Sequence, residues 1–230
     1  AGCEGDLGLW VKLHQDINID YSTIHIWPNN WGWIDKTDIP GTLDKAIANT
    51  REYIDVHVAE AQKMNKPLVL EEFGLPRDSV MFDRKSSTVL RDRYYEEIFE
   101  IVKEHAIQKS VFQGCNFWAW GGFAQPQHLF WQKGDDYMGD PGQEEQGLNS
   151  VYDTDTTVKL VADIVNEINQ IVSSNGCIIL FVCNIPYNLV SYLSIEAKQN
   201  EGQLIENIIK KYDLRKEPSL GLHELFMEFC

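Results

Sequence analysis

The feature that most restricts the fold of this chain is the order of its hydrophobic patterns. Residues 20–27, "DYSTIHIW", are apolar and rich in β-branched side chains, and residues 41–64 follow at helical spacing. The pattern then repeats: a short apolar run at 66–74, "KPLVLEEFG", a helix at 84–107, a strand at 110–120, "SVFQGCNFWAW", and a helix at 155–172. Parallel strands need a crossover, usually a helix, so this βαβαβα order predicts a parallel sheet covered by helices. In the first long helix Thr42 is the expected N-cap, and Leu43, Ile47, Tyr53, Ile54, Val58 and Ala61 form the apolar stripe. Tyr94, Tyr95, Ile98, Phe99 and Val102 do the same for the second. Pro67 opens its strand, where a missing N–H is tolerated. The opening "AGCEG" reads as the end of an earlier strand, with a brief helix across Leu9 to Gln15, and 121–153 reads as a long loop.

Two α/β architectures satisfy this order, an open doubly wound sheet and a (β/α)8 TIM-type barrel. No GxGxxG or Walker loop follows a strand, which weighs against nucleotide binding. The polar and aromatic residues collect after the strands, where barrels place their active sites. A formal net charge of −15 disfavours nucleic acid and anionic membranes as partners. No apolar run is long enough to span a bilayer; the longest candidate is Cys177 to Cys183. No signal peptide is visible at Ala1. Five cysteines, an odd number without metal spacing, read as free thiols, and neither metal nor cofactor is expected. Past about residue 170 the character changes: all seven Trp lie at or before Trp131. Residues 171–230 are read as an unassigned tail, with a strand at "CIILFVC" and a helix at 201–213.

The chemistry concentrates at the strand ends. Glu71 and Glu72 close a buried strand and precede Phe-Gly, a sharp exit. Strand alternation predicts that one carboxylate points into a barrel mouth and the other outward. His25 ends the previous strand, and parallel neighbours at the same level bring it near the glutamates. Trp118 ends the third strand. Indoles stack on the apolar faces of sugar rings while Glu, Asn and His meet the hydroxyls, so this side-chain set suits a carbohydrate.

Taken together, "STIHIWPNNWGWID", "KPLVLEEFGLPRD" and "GCNFWAWGG" resemble, in this order, the sixth, seventh and eighth strands of a family 5 glycoside hydrolase, on its β-mannanase branch. "GCEGDLG" is similar to that branch's loop after the fifth strand, and "QHLFWQKGDDYMGDPGQEEQGLNSVYDTD" to its eighth loop. The resemblance covers about residues 1–170 and implies a partial barrel of about strands 5–8. It implies Glu72 as nucleophile, with Glu71 as its outward neighbour. His25 becomes a residue near the nucleophile or the substrate, and Trp118 the floor of the central subsite. Glu4 becomes a sugar contact on the leaving-group side, and Trp31 and Trp33 outer platforms. Trp27 stands where family members often have a tyrosine bonded to the nucleophile, so the indole N–H must replace the phenol if that bond is kept. The resemblance further implies a mannan-type polysaccharide or oligosaccharide as partner and a secreted or periplasmic location.

One departure matters. Retaining glycosidases need two carboxyl groups about 5 Å apart. The family acid/base is the glutamate of an Asn-Glu pair on the fourth strand, whereas the Asn-Glu pairs here are Asn166–Glu167 and Asn200–Glu201, both after the eighth. The expectation is the C-terminal half of a barrel, inactive alone for want of a general acid. The alternatives are a carbohydrate-binding protein derived from a glycosidase, a β-1,4-glucanase of the same family, and a half barrel stable only with a partner chain.

Overall fold

A computed structural model describes residues 6–175; Glu4, the residues read as an earlier strand, and the strand and helix expected in the tail lie outside this range. The elements are α1 (Leu7–His14), β1 (Ser22–Ile26), α2 (Ile39–Met64), β2 (Leu68–Phe73), a 3-10 turn (Asp78–Val80), α3 (Val89–Gln108), β3 (Phe112–Phe117), β4 (Trp120–Gly122), β5 (Val151–Tyr152) and α4 (Thr156–Asn175). β1, β2 and β3 form a parallel sheet in that order, and β4 and β5 pair separately. This is the partial (β/α)8 barrel that the resemblance implied, one of the two architectures the alternation allowed.

The core lies between the sheet and the long helices. Ile24, Ile26, Leu68, Leu70, Phe73 and Phe112 are buried against Leu43, Ile54, Tyr94, Tyr95, Ile98 and Phe99. Each such side chain contributes about 1.5–3 kcal/mol relative to exposure. The other face of the sheet carries Thr23, His25, Val69, Gln113 and Asn116, which are partly or fully exposed.

Two expected boundaries move for identifiable reasons. α2 starts earlier because Asp38, not Thr42, is its N-cap: Asp38 Oδ1 accepts from Gly41 N at 3.0 Å, and Pro40 occupies the first turn. Thr42 Oγ1 instead donates to the Asp38 carbonyl. α3 starts at Val89, not 84, because the preceding carbonyls are taken by Arg77, whose Nη2 donates to Arg84 O at 2.8 Å and Ser86 O at 2.9 Å. Asp78 Oδ1 then accepts from the first helical amides, Leu90 N at 3.0 Å and Arg91 N at 3.4 Å.

The expected strand 110–120 is interrupted. β3 ends at Phe117, the Trp118–Ala119 peptide is cis, and Trp120 begins β4. The long loop is organised rather than open. Asp140, 1% exposed, accepts from Gly147 N, Asn149 N, Asn149 Nδ2 and Ser150 Oγ. Burial pushes its carboxyl above the usual range against those donors. Beneath the loop a buried cluster ties the segment after β2 to α4. Asp155 accepts from Arg77 Nη1 at 2.7 Å, Arg77 Nη2 at 2.8 Å, Arg91 Nη2 at 2.7 Å and Tyr152 N at 2.8 Å.

Candidate active site

The pairing of β1 with β2 runs Ser22–Leu68, Thr23–Val69, Ile24–Leu70, and then His25–Glu72 and Ile26–Phe73. β2 therefore uses one more residue than β1 to cover the same step. β2 carries the same excess against β3, since Leu70 pairs with Cys115 and Phe73 with Phe117. The extra residue is Glu71, and the step is a β-bulge, which bends a strand and re-aims its side chains.

The bulge overturns the expected alternation. Leu70 and Phe73 are both fully buried on the helix side although they lie three positions apart. Glu71 and Glu72, between them, are both half-exposed and both reach His25. His25 Nδ1 is 3.2 Å from Glu72 Oε2, and His25 Nε2 is 3.8 Å from Glu71 Oε2. Glu71 is thus not an outward neighbour. Its other oxygen accepts from Tyr21 Oη at 3.2 Å. Trp27 Nε1 donates to Glu72 Oε2 at 3.4 Å, so the indole makes the bond that a phenol would make at that position.

The electrostatics follow. Each ring nitrogen of His25 faces a carboxylate, which favours protonation at both. Glu71 first and Glu72 second raise the imidazole to about 9, against the opposing effect of desolvation. The 3.2 Å contact to Glu72 is in hydrogen-bond reach, whereas Glu71 at 3.8 Å acts as an ion-pair partner. The hydrogen bond from His25 in turn holds Glu72 below its ordinary range, with His25's charge and the Trp27 N–H adding to it and burial opposing.

Trp118 is held beside this group by its backbone: its N–H donates to Phe73 O at 2.8 Å, and its carbonyl accepts from Tyr95 Oη at 3.3 Å. Gly74 makes the approach feasible. A Cβ there would lie 2.7 Å from the Trp27 ring and 3.0 Å from the Trp118 carbonyl oxygen. The structure therefore brings His25, Trp27, Glu72 and Trp118 around the C-terminal end of β2.

Trp31 and Trp33 are placed differently. Their rings meet edge to face at 5.0 Å, and both pack on Tyr53 of α2. Tyr53 stacks on His57, which meets Trp10. Both residues are partly buried against the core as part of an aromatic string, and partly exposed.

Of two further carboxylates near Glu72, one was misplaced by the sequence reading and the other was not singled out. Glu71 was assigned outward because alternation hides a bulge. Glu144, in the Asp140-organised loop, is raised above its ordinary value by desolvation, then by the charges of Asp140 and Glu72. Its approach depends on loop packing, which leaves no local pattern. Among the described residues, no group of three or more His, Cys, Asp or Glu could hold a metal ion.

Comparison with known proteins fits this geometry. A family model described as glycoside hydrolase family 5 β-mannosidase-like matches residues 1–173. The chain is 27% identical over 110 residues to mannan endo-1,4-beta-mannosidase 4 of Solanum lycopersicum, covering 47% of this chain and 25% of the relative. Its identity to mannan endo-1,4-beta-mannosidase 3 of Arabidopsis thaliana is 28% over 111 residues, covering 47% of this chain and 24% of the relative. The glycoside hydrolase family 5 mannosidase of Rhizomucor miehei superposes with a TM-score of 0.67 at 32% identity, covering 72% of this chain and 41% of the fungal chain. A mutant of that enzyme is known in complex with mannosyl-fructose. The chain thus spans well under half the length of these relatives. By motif, strand order and family match alike, it belongs to glycoside hydrolase family 5, on the mannosidase-like branch.

Proposed function

We propose that Glu72 is the nucleophile of a retaining site for β-1,4-mannan or its oligosaccharides. One observation carries the reading: at the C-terminal end of a barrel strand, Glu72 is held ionised by an imidazolium 3.2 Å away and an indole N–H 3.4 Å away. Both contacts converge on Oε2, which leaves Oε1 to attack the anomeric carbon. The glycosidic C–O bond breaks as the Glu72 ester forms, and water later attacks that carbon and releases the sugar. Trp118 floors the adjoining sugar subsite, His25 borders it, and Glu4 contacts the leaving-group side. Trp31 and Trp33, both partly exposed, serve as outer platforms for a longer chain. The names of the plant and fungal relatives support mannan over glucan.

The leaving group needs a proton, and the Asn-Glu pairs of this sequence, Asn166–Glu167 and Asn200–Glu201, follow the eighth strand and not the fourth, where the family resemblance places the donor. Glu167 lies on α4, where it pairs with Lys103 at 3.1 Å. These residues alone are expected to form a glycosyl ester only from a substrate with an activated leaving group. General acid catalysis contributes typically ~10²–10⁴-fold. The family match ends at residue 173, which supports reading the remainder as a segment outside the enzyme fold. An extracellular or periplasmic location follows from the substrate class.

The test is covalent labelling of the purified chain with an activated 2-fluoro-β-mannoside, read by mass spectrometry, beside an assay on mannan. The expected result is one label on Glu72, absent in Glu72→Gln, with no mannan turnover. Label elsewhere overturns the nucleophile assignment. Mannan hydrolysis that Glu72→Gln abolishes overturns the missing acid. Mannohexaose binding without labelling favours a carbohydrate-binding protein.

A further inference from the structure

The bulge places a second carboxylate where an unbroken strand would have put one on the helix side. We propose that Glu71 is a positioning residue that fixes the ring of His25, so that both ring N–H groups donate and Nδ1–H is kept on Glu72. The inference rests on reading Glu72 as the reactive carboxylate and adds a role for its neighbour.

The geometry is a chain of contacts across two strands. Tyr21 Oη donates to Glu71 Oε1 at 3.2 Å; Glu71 Oε2 faces His25 Nε2 at 3.8 Å; His25 Nδ1 faces Glu72 Oε2 at 3.2 Å; and Trp27 Nε1 closes the chain at 3.4 Å. A neutral imidazole has one donor and one acceptor nitrogen. With carboxylates at both nitrogens, a neutral ring would turn a lone pair toward one anion. Glu71 removes that option by favouring a proton on Nε2 while Glu72 favours one on Nδ1. Without Glu71 the neutral ring becomes accessible at lower pH: Glu72 draws the one remaining proton to Nδ1, but it loses the imidazolium charge and the anchor at Nε2 that fixes the ring. The groups facing His25 are Glu71 and Glu72 of β2; Tyr21 and Trp27 lie just before and just after its strand, and Glu144 faces Glu72 from the long loop. The His25 side chain is 45% exposed, so solvent alone does not hold its ring in one orientation.

The experiment uses the full 230-residue chain. Long-range proton–nitrogen NMR follows both ring nitrogens of His25 against pH in the native chain, Glu71→Gln and Glu72→Gln. In the native chain both nitrogens are expected to be protonated at neutral pH, with titration near 9. Glu71→Gln is expected to lower that titration by about 1 unit or more, the usual effect of losing an opposite charge at this range. It is also expected to lower, in step with His25, the pH at which the alkaline limb of Glu72 labelling by the activated 2-fluoro-β-mannoside falls to half. Circular dichroism verifies the fold of each variant. If Glu71→Gln does not fold, Tyr21→Phe unhooks the carboxylate without removing its charge and is expected to give a smaller fall of the same sign. A His25 titration unmoved by these variants, or a labelling profile unmoved while the titration falls, overturns the proposal. Labelling of the native chain at another residue removes the nucleophile reading. The His25 titration judges the Glu71–His25 link separately.

Discussion

Asp155→Asn tests the cluster that fastens the active-site segments together. Among the described residues, Asp155 is the one carboxylate in ion-pair contact with two guanidinium groups, Arg77 and Arg91, whose side chains are 1% and 0% exposed. The cluster therefore carries a net charge of +1, and the Nε of each arginine has no hydrogen-bond partner among the described residues. Removing one partner of a buried pair typically costs about 3–5 kcal/mol, because the other charge is left uncompensated. Here two charges are left, partly soothed by the carbonyls of Arg84, Ser86 and Ser150, so the expected loss is about 4–5 kcal/mol. For a chain of this size that is a fall in Tm of about 10–20 °C. Arg91→Met makes the opposite change, leaving one anion with one cation, and is expected to be milder despite deleting a fully buried side chain. Urea unfolding followed by tryptophan fluorescence measures both. If Asp155→Asn costs under about 1 kcal/mol, or Arg91→Met is the more damaging, the charge argument is wrong and the cluster acts through packing alone.

Three further outcomes follow from the geometry. Gly74→Ala puts a methyl group 3.0 Å from the Trp118 carbonyl, which cannot rotate away, and 2.7 Å from the Trp27 ring. The expected loss is about 1–3 kcal/mol with a changed tryptophan emission spectrum, and unchanged melting and emission would refute the close fit. The coupling of His25 with Glu72 should depend on pH. His25 is raised from 6.5 to about 9, so its part is complete below 6.5 and lost as pH climbs through 9; Glu72 is lowered from 4.5, so its part is complete above 4.5 and lost toward acid. A double-mutant cycle with His25→Ala and Glu72→Gln should give its largest value near pH 5.5 and far less at pH 10; because both groups are partly exposed, that value is about 1 kcal/mol or less. Equal values at the two pH settings count against the ion pair. Finally, Thr50→Val leaves the fully buried Tyr94 hydroxyl without its 2.8 Å partner and is expected to cost about 1–3 kcal/mol. Adding Tyr94→Phe should recover part of the loss, and no recovery would point to lost packing instead.

The sequence was most informative where physics is local. Strand and helix alternation located β1, β2, α2 and α4 to within a few residues, because burial on one face imposes a period that can be read directly. His25 beside Glu72 was legible too, since parallel strands of similar length match level by level. What stayed hidden depends on contacts distant in the chain. The start of α3 was misplaced because Arg77 takes the carbonyls of Arg84 and Ser86, and nothing between 84 and 88 announces it. Thr42 looked like a cap because caps are local, but Asp38, with Pro40 behind it, was the better one. The bulge misled most. "LVLEEF" gives no sign that one residue is extra, since the surplus is defined only against β1 and β3. Trp31 and Trp33 meet Tyr53, about four turns into α2, a contact that no local pattern announces.

The Trp27 contact also bears on where protons can travel. A phenol can give a proton, accept one and pass it on; an indole N–H can only donate a hydrogen bond and keeps its proton throughout the accessible pH range. Placing Trp27 on Glu72 Oε2 thus puts an insulator where a phenol would have been a conductor. Of the two groups that contact Glu72 Oε2 among the described residues, only His25 can pass a proton on.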